Sequence, residues 1–175
     1  LYDQNDLRSE SFFAQKTTGY AHGLTWPLLV KYHGNEDFIK LNIYHVNMPK
    51  VFRLSEQYLI RAEAYCHLQE YTKAGKDITT LRSARYKTYG ATVIGEDNWL
   101  ETISEERVRE LFMEGFRLHD LKRWHKGFER EPQSNTVEAA NSLKIEADHP
   151  LFVWPIPQHE LDAPGSELQP NDSNN

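Results

Sequence analysis

Three glutamates stand where they could do acid–base chemistry. Glu106, Glu110 and Glu114 are spaced i, i+4, i+8, so a helix carries them on one side. Two carboxyls roughly 5–10 Å apart across a cleft are what a glycoside hydrolase requires. The neighbours point elsewhere. Arg107, Arg109 and Arg117 are interleaved with the run, and Glu–Arg pairing keeps carboxylates ionised and occupied. A catalytic acid needs the reverse, a pKa raised by an apolar pocket. The run is expected to fix helix packing through ion pairs.

A second kind of chemistry is sugar capture, which uses an aromatic face beside polar side chains. Tyr20-Ala21-His22-Gly23-Leu24-Thr25-Trp26 offers that mixture on an expected loop, making Tyr20, His22 and Trp26 candidate glycan contacts. The competing expectation is that Trp26 opens a strand and packs inside, as large aromatics mostly do. Trp124 and Trp154 lie in apolar patterns and are expected in the core. The histidines form no ligand set: His119 and His125 are six apart, the shortest His–His spacing, and Glu63 with His67 lacks a third ligand. No metal or cofactor is expected. The sequence also lacks G-x-S-x-G, Walker A, G-x-G-x-x-G, H-E-x-x-H and paired C-x-x-C motifs.

The whole chain bounds these readings. It has 175 residues, 39% of them hydrophobic, which suffices for a packed core. The net charge of −6 and the pI near 5.8 argue against a nucleic-acid partner. A mean hydropathy of −0.71, with no run of 18 apolar residues, gives no transmembrane helix. Cys66 is the one cysteine, so no intrachain disulfide forms, and its apolar helical setting suggests a buried thiol. The opening Leu1-Tyr2-Asp3 has neither Met nor a signal-peptide pattern and reads as a piece of something longer.

The elements that must position these residues are mainly helical. Residues 1–25 read as loop with short extended pieces. Segments 26–32 and 38–46 read as a hairpin, the second alternating Ile39, Leu41 and Ile43 with polar residues. A helix is expected over 52–69, with Leu54, Tyr58, Ala62 and Tyr65 on its buried face. Another follows over 72–87, capped by Thr72 and striped by Ala74, Ile78, Leu81 and Ala84; the two must pack antiparallel. A third helix, 98–114, opens on an Asn98/Glu101 capping box and buries Leu100, Ile103, Val108, Leu111 and Phe112. A fourth spans 117–126 with Leu118, Leu121 and Trp124 inward. Residues 127–150 read as loop with a helical turn near 137–143, 151–157 as extended, and the tail after 163 as frayed. The division is a loop-rich 1–50 with the hairpin, a helical core over 51–128, and a loop-rich 129–175.

Four blocks in order then show a resemblance. Arg53-Leu54-Ser55-Glu56-Gln57-Tyr58-Leu59-Ile60-Arg61-Ala62-Glu63-Ala64 resembles the R-x-x-E-x-x-L-x-x-A-E-A helix of the SusD/RagB family. Leu81-Arg82-Ser83-Ala84-Arg85 is similar to the N-x-x-R-x-R end of its next helix. The segment from Glu106 to Trp124 resembles E-R-x-x-E-L-x-x-E-G-x-R-x-x-D-L-x-R-W, and Trp154-Pro155-Ile156-Pro157-Gln158-His159-Glu160-Leu161 resembles x-P-I-P-x-x-E-I. Gln169-Pro170-Asn171 departs from the family's Gln-Asn-Pro.

The resemblance implies a mostly α fold with a tetratricopeptide-type helix pair, a second helix pair, long loops and a small β-hairpin. It implies that this is the carboxyl-terminal third of a non-enzymatic lipoprotein on the outer membrane of Bacteroidota. Such a protein binds glycan, or sometimes peptide, and delivers it to a SusC-like TonB-dependent transporter; its lipid anchor would lie outside this chain. Arg53, Glu56, Glu63, Glu106, Arg107, Glu110, Glu114, Arg117, Asp120, Arg123 and Trp124 take architectural roles by the resemblance. Two other readings stand beside it: a tetratricopeptide-type protein-interaction module, and a glycoside hydrolase using Glu106 and Glu110.

Overall fold

The computed structural model describes residues 1–17, 25–32, 34–43, 46–48, 50–131 and 143–174. Among the described residues the chain is mostly helical, with two small antiparallel ribbons. It groups into two compact units, Leu1–Phe112 and Met113–Asn175. That grouping differs from the three segments read from the sequence. Residues 5–7 run beside 85–88, through bonds such as Leu7 N to Arg85 O at 2.8 Å, so the first segment is built into the helices.

In the first unit, α1 (Arg8–Phe12) leads into β1 (Phe13–Thr17), which pairs antiparallel with β2 (Thr25–Leu29). The hairpin therefore lies earlier than the expected 26–32/38–46 pair, and α1 stands where loop with short extended pieces is expected. Residues 36–39 form a short helix, α2 (Glu36–Ile39). The alternation of Ile39, Leu41 and Ile43 suggested a strand, but the Asn35 side chain accepts from Asp37 N and caps a first turn holding Glu36 and Asp37. Local capping with an acidic first turn outweighs a period-two pattern that has no buried face: Leu41 and Ile43 are exposed.

Three long helices build the core of this unit: α3 (Leu54–His67), α4 (Tyr71–Ser83) and α5 (Trp99–Glu110). Helix α3 packs on both α4 and α5. The three residues between α3 and α4 include Gln69 at φ +60, the left-handed residue that ends α3. Leu59, Ala62, Cys66, Ala74, Ile78, Leu81 and Ile103 are buried. The buried face of α3 is Ser55, Leu59, Ala62, Glu63 and Cys66, one position on from the expected stripe; Leu54 is exposed and Tyr58 and Tyr65 are half-buried. Ser55 and Glu63 are polar, which disguised the true face. In α4 the stripe holds for Ala74, Ile78 and Leu81, but Ala84 lies past the helix end and is exposed. Across α3 and α4, Arg61 clasps Asp77 with two bonds of 2.6 and 2.7 Å.

Two expected caps do not form. Helix α4 starts at Tyr71 after Glu70, so Thr72 is inside it. The Asn98 side chain accepts from Gly95 N at 2.9 Å and braces the preceding loop instead of capping α5. Helix α5 stops at Glu110, four residues short of the expected end, because Arg53 and Lys31 both donate to Glu110 O at 2.9 Å and Lys31 also takes Phe112 O. Cations bound to terminal carbonyls favour a helix end. Cys66 is buried as expected, and burial pushes its thiol up to about 11.

The second unit contains α6 (Arg117–Arg123), a two-residue ribbon of β3 (Phe128–Glu129) and β4 (Lys144–Ile145), a 3-10 turn over Pro150–Phe152, and α7 (Gln158–Leu161). Leu121, Asp120 and Phe152 are buried, whereas Leu118 is exposed and Trp124 half-buried. Trp154, expected in the core, is 82% exposed. The helical turn expected near 137–143 lies almost wholly outside the described residues.

The tail is tied down. Asn171 Nδ2 donates to Trp154 O at 2.8 Å, Ser173 Oγ to Val153 O at 2.6 Å, and Asn174 exchanges two bonds with Ile156. Backbone carbonyls of the proline-rich segment cannot pair within it, so the polar tail supplies the donors.

A glycine fixes the ribbon. A Cβ on Gly127 would lie 2.3 Å from Ile145 O and 2.9 Å from Ala147 N, both backbone atoms. Gly127→Ala is expected to lower stability by about 1–3 kcal/mol through overpacking. Urea denaturation followed by circular dichroism checks this, and an unchanged midpoint would contradict it.

Candidate functional site

Glu106 and Glu110 are the most heavily wired part of the first unit; Glu114, expected on the same helix, lies past the end of α5 in the second unit, where Met113 at φ +60 has turned the chain. Glu106 and Glu110 are both 0% exposed. Arg8, itself 2% exposed, lies between acids: Nε and Nη2 donate to Asp6 at 2.9 and 2.8 Å, and Nη1 donates to Glu106 at 2.7 Å and Glu110 at 3.2 Å. Arg82 Nε adds a 2.6 Å bond to Glu106. Arg85 holds Glu110 by a fork of 2.9 and 3.0 Å, and Arg53 Nη1 reaches it at 3.0 Å. The Tyr2 and Tyr86 rings flank the Arg8 guanidinium at 5.9 and 5.4 Å.

Burial alone raises the Glu110 carboxyl pKa. The hydrogen bonds and charge of Arg85, with the charge of Arg53, overcome it and bring the value down to about 2. Burial likewise weakens the Arg8 cation, but its bonds to Asp6 and the charge of Glu106 outweigh that and hold it protonated. A carboxylate held ionised at neutral pH by three arginines cannot donate a proton there, so Glu110 is unsuited to general acid work. What the cluster does is join α1, α4 and α5 and the start of α3, four pieces far apart in sequence.

The other motif residues divide between the units. Glu63 and Arg107 are buried and Glu56 is half-buried in the first unit. In the second, Asp120 is buried and accepts from Arg123 at 3.0 and 2.9 Å, and the Arg123 guanidinium sits 4.2 Å from the Trp124 ring. Glu114 is half-buried and Arg117 exposed. Asp6, Arg8, Arg82 and Arg85 complete the carboxylate cluster. Arg82 and Arg85 appear in a quoted motif block, but Asp6-x-Arg8 carried no helical period or motif to reveal it.

Of the candidate sugar contacts, Tyr20 and His22 lie outside the described residues. Trp26 lies in β2, paired with Lys16, so it does sit on a strand. Strand β2 runs into an open cleft of about 460 Å³, walled among the described residues by Lys31, Tyr32, Gly34 and Asn35 on one side and by Val46, Asn47, Met48, Lys50 and Arg53 on the other. Asn47 braces the walls: its Oδ1 accepts from Gly34 N at 2.8 Å and its Nδ2 donates to Tyr32 O at 3.2 Å. Asn35 N to Val46 O, at 2.9 Å, adds a third tie. The sequence reading missed this cleft because its walls are residues without period or motif.

No group of three or more His, Cys, Asp or Glu among the described residues could hold a metal ion. No helix among them is long and apolar enough to cross a membrane.

Comparison with known proteins decides the family: residues 13–172 match the profile of the SusD family. The chain belongs to the SusD family. A SusD superfamily protein from Bacteroides thetaiotaomicron aligns with a TM-score of 0.75 at 28% identity, over 97% of this chain and 38% of that one. A SusD-like carbohydrate binding protein from Bacteroides vulgatus aligns with a TM-score of 0.66 at 22% identity, over 91% of this chain and 38% of its own length. The chain thus spans little more than a third of these SusD-like proteins. No curated protein matches it. The fold expected from the four blocks is that of the SusD family, and of the block residues Arg53, Arg82, Arg85, Glu106 and Glu110 lie in the charge cluster of the first unit.

Proposed function

We propose that this chain is the carboxyl-terminal part of a cell-surface nutrient-binding protein that captures a glycan and passes it, chemically unchanged, to a SusC-like TonB-dependent transporter of the outer membrane. The observation that carries the reading is the family match over residues 13–172. The carbohydrate-binding name of the Bacteroides vulgatus relative supports a sugar ligand. The cluster supports a role without turnover, since Glu106 and Glu110 are committed to arginines. In this reading Tyr20, His22 and Trp26 contact glycan, and a lipid anchor supplied by the longer protein holds it at the membrane.

Native affinity gels containing a panel of polysaccharides test it, with wild type beside Trp26→Ala and circular dichroism confirming that both fold. Retention by at least one glycan, weakened about tenfold in Trp26→Ala, is expected for a lost aromatic platform with its polar neighbours. A folded wild type that no glycan retains would overturn the reading for this part of the protein.

A further inference from the structure

The cleft beyond β2 is lined by basic side chains, one of which, Arg53, is ion-paired with Glu110 at 3.0 Å. The protein carries −6 overall, yet the cleft is lined by Lys31, Lys50 and Arg53, and no carboxylate lines it among the described residues. Two of these cations are held in place. Lys31 Nζ donates to Glu110 O at 2.9 Å and Phe112 O at 3.0 Å, while Arg53 binds Glu110 with its two terminal nitrogens. The Arg53 side chain keeps 21% of its surface exposed, and Lys50 is exposed. Cations fixed before a ligand arrives cost little ordering entropy on binding.

The remaining lining is of the kind that meets a sugar ring. Tyr32 is half-buried on one wall, and Val46 and Met48 expose apolar surface on the other. The volume of about 460 Å³ lies within the range of small-ligand sites. The ties from Asn47 and Asn35 hold both walls together without a ligand.

We propose that this cleft binds an anionic saccharide unit, with Lys31, Lys50 and Arg53 receiving its carboxylate or sulfate and Tyr32 backing the sugar ring. The inference rests on the glycan-capture reading and narrows it to acidic glycans. Arginine and lysine at a fixed spacing recognise carboxylate and sulfate through charge-assisted bonds. A free phosphate or a lipid headgroup would use the cations but leave Tyr32, Val46 and Met48 without a role.

The test uses native affinity gels of the full chain with three probes: polygalacturonate for carboxylate, dextran sulfate for sulfate, and uncharged dextran. Retention by one of the two anionic polymers is expected to exceed that by dextran by about tenfold or more, and to fall as salt rises. Lys50→Glu and Tyr32→Ala, both with wild-type circular dichroism, should each weaken that retention by about fivefold to tenfold. The polymer that retains the protein identifies the acidic group. Equal retention by dextran, or anionic retention that neither variant changes, would overturn the cleft assignment while leaving glycan capture standing. Retention by no glycan, including the neutral panel above, would overturn both. Binding only to phosphatidylglycerol vesicles would overturn the saccharide in favour of a membrane surface.

Discussion

Arg8→Met is expected to lower the melting temperature of this chain by about 10 °C. Arg8 is enclosed by Asp6, Glu106 and Glu110, all almost fully buried. Glu106 keeps Arg82, and Glu110 keeps Arg53 and Arg85. Asp6 is left with a buried carboxylate from which the facing guanidinium has gone. Removing one partner of a buried pair costs about 3–5 kcal/mol, which for a chain of this size corresponds to about 6–20 °C. Arg8→Lys should rescue only part of the loss. One ammonium cannot reach Asp6 on one side and both glutamates on the other, as the three guanidinium nitrogens do. A melt followed by circular dichroism reads both variants, and a wild-type melting temperature for Arg8→Met would contradict the wiring.

The second large effect is expected at Glu110. Glu110→Ala leaves Arg8, Arg53 and Arg85 converging on an empty site, and the loss should again be about 3–5 kcal/mol. This carboxylate also brings a pH signature. Its folded pKa of about 2 lies below the ordinary 4.5. A depressed folded pKa gives stability that is fully present above about pH 4.5 and is lost progressively as pH falls towards 2. The contribution at neutral pH is about 3 kcal/mol. Urea midpoints measured at pH 6 and pH 3 should therefore fall steeply for wild type and less for Glu110→Gln, which has no proton to take up there. Equal slopes for the two proteins would show that Glu110 does not carry this dependence.

These effects arise from contacts that no local pattern announces. The positions of the long helices were legible because Ala62, Ala74, Ile78, Leu81 and Ile103 recur at helical spacing and are buried as that spacing requires. The helix ends were not. The end of α5 is set by Arg53 and Lys31, residues more than 50 positions away, and Asn98 turns to a neighbouring loop because Gly95 N needs an acceptor. The buried face of α3 was displaced by one position because its members include Ser55 and Glu63 while Leu54 faces water. The hairpin lies elsewhere because Asn35 caps a helical turn, Glu36–Ile39, that runs into the start of the alternating stretch 38–46.

The interleaved arginines signal that the glutamates are paired, and arginines distant in sequence also bind them. Arg8, Arg53, Arg82 and Arg85 make the short bonds, while Arg109 stands 3.7 Å from Glu106. Spacing along one helix reveals which residues share a face; it does not reveal which distant chain folds onto that face. The same limit hid the cleft beyond β2, whose walls come from two irregular segments joined through one asparagine side chain.

Glu106 and Glu110 hold the helices of the first unit together and carry no ligand chemistry. The most direct test of that role measures two properties of Glu110→Gln beside wild type: the melting temperature, and retention at 10 °C on an affinity gel containing a polysaccharide that retains wild type. Glu110→Gln is expected to melt several degrees lower with retention unchanged while both proteins are folded. An unchanged melting temperature with retention lost would contradict it and place Glu110 at the ligand.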